Sequence, residues 1–209
     1  DVERRQAIRR NHTATHLLHK ALREVLGTDT HQAGSLVAPE RLRFDFTSLD
    51  AMTPQQVARV GEIVSEQVVA STPVDTQVLA YADAVEGGAM ALFGEKYGET
   101  VHTISIMEGE KDKYSYELCG GTHLERTSDV GAFIIVSESS AAAGVRRIEA
   151  VTGRGAYELI QKRFKTLKQT AGSLKTSLDE VPTKVDALQD EVSELKKELA
   201  ALRTQAALS

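Results

Sequence analysis

His12-Thr13-Ala14-Thr15-His16 sets two imidazoles four positions apart, and Cys119-Gly120-Gly121-Thr122-His123 repeats that spacing with a thiol and an imidazole roughly a hundred residues later. Each half-site has two soft or borderline ligands, and together they offer the four N/S donors that a tetrahedral zinc ion takes. In the first, two side chains one helical turn apart share a face. In the second, glycines let the backbone turn tightly, so that two side chains at the end of a strand can converge. Cys119 is the only cysteine of the chain. It forms no internal disulfide, so its value lies in packing, reactivity or metal binding. An isolated His-x3-His pair arises on helices by chance; joined to this second half-site it points to a metal held by His12, His16, Cys119 and His123. The first half-site lacks the Glu of H-E-x-x-H, and with it the general base of the zinc peptidases.

Around the first half-site, residues 3–26 read as a helix. Ala14, Leu17, Leu18, Ala21, Leu22 and Val25 recur at helical spacing, and Gly27 stands where a C-terminal glycine belongs. His12, His16 and His19 fall on one stripe, roughly opposite the centre of that apolar face. Further on, Arg41 to Phe46 alternates like a strand with one wet face. Thr53-Pro54 forms an N-cap and first-turn pair for a helix through Val68, which Thr72-Pro73 ends. Strands are expected at 74–81, 100–107, 114–118, 131–138 and 144–151, with a short helix and turn in the glycine-punctuated stretch 87–94. Helices followed by a cluster of strands predict an α+β domain with a largely antiparallel sheet.

Past Gly153 the pattern changes. Ile160, Phe164, Leu167, Ala171, Leu174, Leu178, Val181, Val185, Leu188, Val192, Leu195, Leu199 and Leu202 stand alternately four and three apart, a heptad seam held to the end. Pro182 interrupts it, with Ser177 and Asp179 as candidate caps just before. The expected organisation is a domain over 1–155 and a coiled-coil-like helical hairpin over 156–209. A continuous kinked helix that dimerises is the other reading.

Length and composition set bounds. At 209 residues, with 41% hydrophobic and 26% charged residues, the chain suits one good-sized domain with an appendage. No run of about 18 apolar residues occurs, so no membrane span is expected. The start, Asp1-Val2-Glu3-Arg4-Arg5, has no apolar segment and reads as neither signal peptide nor natural beginning, but as part of something longer. One cysteine and no export signal place the chain in a reducing cytoplasm. A net charge of −5 argues against holding nucleic acid by bulk electrostatics. Yet Arg4, Arg5, Arg9 and Arg10 crowd the first helix, Arg41 and Arg43 flank a strand, and Arg146-Arg147 form a later pair. Such a local patch on an acidic protein can hold a phosphate backbone, or be ordinary solvated arginines.

Six motifs in one order make the chain recognisable. Asn11 to His16, His31-Gln32-Ala33-Gly34-Ser35-Leu36-Val37 and Arg43-Phe44-Asp45-Phe46 resemble the editing domain of the alanyl-tRNA synthetases. So do Ala91-Leu92-Phe93-Gly94-Glu95-Lys96-Tyr97-Gly98, Glu117 to His123 and Gly144 to Gly153. The resemblance covers about 1–155; the tail from 156 resembles the helical start of the synthetase C-terminal region. Free-standing relatives that edit mischarged alanine tRNA share the fold and ligand pattern.

The resemblance implies hydrolysis of the ester joining serine or glycine to the terminal ribose of tRNA(Ala), with the rest of the synthetase as a further partner. A pocket built for alanine rejects neither an added hydroxyl nor a smaller residue strongly, so a second, hydrolytic site is needed. Carried over by position, His12, His16, Cys119 and His123 hold zinc. Thr15 sits against the amino-acid side chain and tells serine from alanine; Gln32 positions the ester or the attacking water. Taken alone, Thr15 reads as a residue bonding its own helix backbone, and Gln32 as solvated. Arg43, Asp45, Arg146 and Arg147 are candidates for tRNA contact, against strand salt-bridging. Four protein ligands make a closed, structural zinc site, whereas catalytic zinc keeps a position for water. A displaced ligand, an anchor for the tRNA 3′ end and a purely structural ion all remain open. So do two other readings of the whole: a tRNA-binding module with structural zinc, and an oligomerisation module.

Overall fold

The computed structural model describes residues 1–91, 96–108 and 112–208. Two compact units divide it, Asp1–Tyr157 and Glu158–Ser209.

The first unit opens with α1 (Val2–Leu26), whose N-terminus is capped by Asp1 accepting from the Arg4 amide at 3.1 Å. It ends at Gly27, whose φ of 111° lies where glycine is favoured. Strands β1 (Gln32–Val37) and β2 (Leu42–Thr47) follow as a hairpin, then α2 (Pro54–Ala70). The α2 cap is reciprocal. Thr53 Oγ1 accepts from the Gln56 amide at 3.1 Å, and Gln56 Oε1 from the Thr53 amide at 2.9 Å, with Pro54 in the first turn. Next come β3 (Val74–Ala80), α3 (Tyr81–Glu86), β4 (Thr100–Glu108) and β5 (Asp112–Leu118). A 3-10 turn (Thr127–Val130) leads to β6 (Phe133–Ala142) and β7 (Val145–Thr152).

Among the described residues the strands form two sheets, β1-β2-β7-β6 and β3-β4-β5, with every ladder antiparallel. The expected α+β class with antiparallel pairing is what the chain adopts. One core joins the layers. Leu17, Leu18 and Leu22 of α1 meet Leu42, Phe44 and Phe46 of β2, Val60 and Val64 of α2, Ile148 of β7 and Ile106 of β4. A smaller cluster, Ala84, Ala89, Val101 and Leu118, lies beneath α3.

One expectation needs correction, and two features went unread. β1 escapes a reading by alternation because the bulge between Gln32 and Gly34 breaks its register. The short helix lies at 81–86, while Gly87-Gly88 form a turn and Met90 bridges to Glu117; residues 92–95 of the expected 87–94 segment lie outside the described residues. The histidine stripe of α1 does not face solvent: His16 and His19 are buried and His12 is half-buried. α1 has neighbours from both sheets, so the face turned from the leucines meets β5.

The second unit holds most of α4 (Gly153–Leu174) and all of α5 (Val181–Ala207). Ser177 and Asp179 do not cap α5. Its N-cap is Glu180, whose carboxylate instead accepts from the hydroxyls of Ser177 (2.8 Å) and Thr176 (3.1 Å), with Pro182 in the first turn. Along the seam only Ala171 and Val181, flanking this turn, are buried; Phe164, Leu195, Leu199 and Leu202 are exposed. The described residues contain no helix long and apolar enough to cross a membrane.

Candidate metal centre

His12 and His16 project from α1 toward the end of β5. The Cys119 amide donates to the His102 carbonyl at 2.9 Å, so pairing with β4 runs one residue past β5 and aims the thiol. The chain then turns through Gly120-Gly121 and brings His123 back. Two bonds fasten this return to α1: the Leu124 amide donates to Thr13 Oγ1 at 3.0 Å, and Arg9 Nε donates to the His123 carbonyl. Gly121 is required by space, since a Cβ built there would fall within the His12 imidazole.

The four ligand atoms lie within 4.8 Å of one another. Cys119 Sγ is 3.4 Å from Nε2 of both His12 and His123. Bonds of about 2.3 Å to sulfur and about 2.0–2.1 Å to nitrogen at tetrahedral angles require sulfur-to-nitrogen separations of about 3.5 Å. The separations of Cys119 Sγ from His12 and His123 therefore match those around one ion of that size. The imidazoles crowd together, with His12 and His123 centroids 4.3 Å apart and His16 and His123 5.0 Å apart.

Electrostatics point the same way. Burial would push the Cys119 thiol up, but hydrogen bonds with His12, His123 and His16 outweigh it and bring its pKa down to about 3. Burial alone would lower His16, yet the Glu117 carboxylate, with help from Cys119, raises it to about 10. His123 is depressed to about 4, by burial first and then by the nearby His16, against the Cys119 hydrogen bond. Glu117 is held well below the usual carboxylate range: burial opposes this, and the charges and hydrogen bonds of His16 and His19 overcome it. A thiolate and a buried carboxylate thus gather positive charge around them, as a cation-binding site does.

Glu117 is the member of the site that motif reading passed over. Oε2 lies 3.1 Å from His16 Nδ1 and 3.2 Å from His19 Nδ1, and Oε1 accepts from Ser115 Oγ at 2.8 Å. The signal was strand alternation: Ser115, Glu117 and Cys119 share one face of β5 and its continuation.

Residues 101–149, which include the second half-site, match the family described as the threonyl and alanyl tRNA synthetase second additional domain. The chain is 53% identical over 174 residues to an alanine–tRNA ligase of Bordetella pertussis, taking in 83% of this chain. It is 54% identical over 169 residues (81% of this chain) to that of Lactobacillus gasseri, and 49% identical over 174 residues (83%) to that of Alkaliphilus oremlandii. The chain belongs to the alanyl-tRNA synthetase family. It spans 19% of the length of these curated relatives.

Other residues singled out by the synthetase resemblance lie as follows. Thr15 is buried, and its hydroxyl donates to the Asn11 carbonyl one turn back at 2.8 Å. Asn11 itself ties α1 to the sheet region: Nδ2 donates to Ala38 O at 2.7 Å, and Oδ1 accepts from Thr152 Oγ1 at 2.8 Å. Gln32 is half-buried at the bulge of β1, with Nε2 donating to Ser35 Oγ at 3.2 Å. Arg147 grips Asp45 through two bonds of 2.7 and 2.8 Å, and Arg43 Nε lies 3.8 Å from the same carboxylate. Arg146 pairs in the same two-bonded way with Glu138 at 2.6 and 2.8 Å. The structure thus gathers His12, His16, Cys119 and His123 into a cluster that could hold a metal ion, while Asp45, Arg146 and Arg147 are engaged in ion pairs between strands.

Proposed function

We propose that this chain is the editing part of an alanyl-tRNA synthetase, hydrolysing the ester that joins serine or glycine to the terminal ribose of tRNA(Ala). The observation that carries the reading is the gathering of His12, His16, Cys119 and His123 on a domain of this synthetase family. The family reading adds zinc as the ion, tRNA and the remainder of the synthetase as partners, and a cytoplasmic setting. The relatives named above are ligases rather than free-standing proteins, which supports the synthetase over a separate editing hydrolase as the parent. The seam of 156–209 serves in this reading as a coiled-coil-like helical hairpin opening the synthetase C-terminal region.

His12, His16, Cys119 and His123 would hold the zinc, which when bound supplies positive charge against the ester or the terminal ribose. Water adds to the acyl carbon, the ester C–O bond breaks, and the ribose oxygen leaves with a proton while the amino acid is released. The Gln32 amide orients the water or the ester, having both a donor and an acceptor to offer. Thr15 selects serine. Its own proton is committed to Asn11 O, so its oxygen is left as an acceptor that a seryl hydroxyl satisfies and an alanyl methyl does not. Arg43, Asp45, Arg146 and Arg147 serve the tRNA in this reading, with Arg43, bound least closely of the arginines, as the main phosphate contact.

A second reading is a tRNA-binding module with a purely structural zinc. It draws support from the cluster offering four protein donors, the number that closed structural sites use. The two are separated by incubating seryl- and alanyl-tRNA(Ala) with the chain and its Cys119→Ala variant while measuring bound zinc. Rapid loss of serine with alanine spared, abolished together with zinc in the variant, is the expected outcome. Bound zinc with neither ester cleaved would favour the module.

A further inference from the structure

We infer that Glu117 is a positioning residue of the metal centre, holding the His16 ring by Nδ1 so that Nε2 is presented to the ion, and that His19 and Ser115 hold Glu117 in place. The inference rests on reading the cluster as a metal site and goes beyond the ligand set.

Geometry carries it. On α1, His12 and His16 stand four apart as ligands, and His16 and His19 stand three apart around one carboxylate oxygen, at 3.1 and 3.2 Å. His16 belongs to both pairs. With an ion bound in place of the Nε2 proton, the nitrogen beside the carboxylate keeps its own proton and the other turns its lone pair to the ion. Among the described residues neither ring nitrogen of His16 makes a well-aligned hydrogen bond: Nδ1 has the Glu117 carboxylate at ion-pair distance, 3.1 Å, and Nε2 is buried without such a partner. That is the condition of a nitrogen kept for an ion. Glu117 cannot serve as a ligand in this arrangement, because Oε2 is shared by the two histidines and Oε1 takes the Ser115 proton.

The arrangement has little to recommend it as a device for stability alone. It buries a carboxylate at 5% exposure and leaves His19 Nε2 without a hydrogen bond beside the Phe44 ring, whose centroid lies 5.2 Å away. Buried polar groups left so are costly. Groups that orient a histidine ligand from behind typically set metal affinity by about 10- to 100-fold.

The test is zinc affinity, by competition with a chromogenic chelator, for the whole chain and its Glu117→Gln, His19→Gln, Ser115→Ala and Cys119→Ala variants. Each is also loaded with cobalt(II) for its absorption spectrum. Glu117→Gln should weaken zinc by about 10- to 100-fold and shift the cobalt ligand-field bands while keeping the thiolate-to-cobalt charge-transfer band. His19→Gln and Ser115→Ala should weaken it less, and Glu117→Asp should recover part of the loss. If Glu117→Gln fails to fold, Ser115→Ala, which removes only the hydroxyl donor, decides by the same readings. Zinc binding lost in Cys119→Ala but unchanged, with an unaltered cobalt spectrum, in the Glu117 and Ser115 variants would overturn this inference alone. Zinc binding unaffected by Cys119→Ala would instead overturn the metal site on which it stands.

Discussion

At the scale of single residues the site depends on what is missing as much as on what is present. Gly121 has no side chain because the His12 imidazole occupies the space a Cβ would need. Gly121→Ala should therefore displace His12 or the return of the chain to His123, with zinc affinity falling on the order of tenfold or more, as when groups orienting a ligand are lost. A chelator competition at fixed pH measures this; an unchanged constant would make Gly121 a turn residue and nothing more. The gathering of His12, His16, Cys119 and His123 was legible in the sequence because i,i+4 histidines and a Cys-x3-His with central glycines have few other uses in common. Glu117 was not, since a glutamate on a strand looks like an ordinary wet-face residue until burial shows both its oxygens engaged. Thr15 shows the opposite limit. Its helix-backbone bond was foreseeable from residue type alone, and any role toward substrate requires the family resemblance.

At the scale of elements, sequence reading missed one strand, β1, and misplaced one short helix, α3. α1 and α2 declare themselves by apolar period and by caps, whereas β1 carries a glycine, a bulge and mixed burial that erase its alternation. The same hairpin region supplies a cross-strand test. Asp45 of β2 stands opposite Arg147 of β7, and the guanidinium's two hydrogen bonds hold the Asp45 carboxyl below its ordinary range, against the effect of burial. A carboxyl whose pKa is lower folded than unfolded contributes stability in full above the unfolded value of about 3.9, and loses it as pH falls through the folded value. Urea unfolding of the wild type and Asp45→Asn should therefore differ most near neutral pH, with the gap closing below about pH 4. A gap that stayed constant into acid would show that Asp45 contributes by shape or neutral hydrogen bonding. The partner's exposure to solvent argues for a modest effect. If Asp45 and Arg147 are instead held for tRNA, their pairing will cost RNA affinity when broken without moving this profile.

For the molecule as a whole, the decisive feature is that α1 touches both sheets. The leucine face closes the core against β2, β7 and α2, and the histidine face meets β5 and the turn after it. Candidate metal ligands 107 positions apart in sequence, His12 and Cys119, are brought within 3.4 Å by packing that each sheet supplies separately. Sequence spacing indicates that the half-sites belong together, but only this enclosure of α1 explains how, because a helical wheel shows one apolar face and hides the second buried one. It follows that an ion there ties the three-stranded sheet to the rest of the unit, and that metal and folding are linked. A ligand bound only by the folded state adds RT ln(1 + [L]/Kd), about 2.7 kcal/mol when it stands at a hundred times its dissociation constant. Stripping zinc with a chelator should lower the thermal midpoint of the wild-type chain, and restoring it in excess should return that midpoint. Cys119→Ala should unfold near the stripped value whether zinc is present or not. Calorimetry on these four samples is the check. A wild-type midpoint indifferent to zinc would mean that the protein packing alone holds the two sheets about α1, and that the cluster binds its ion without bracing the fold.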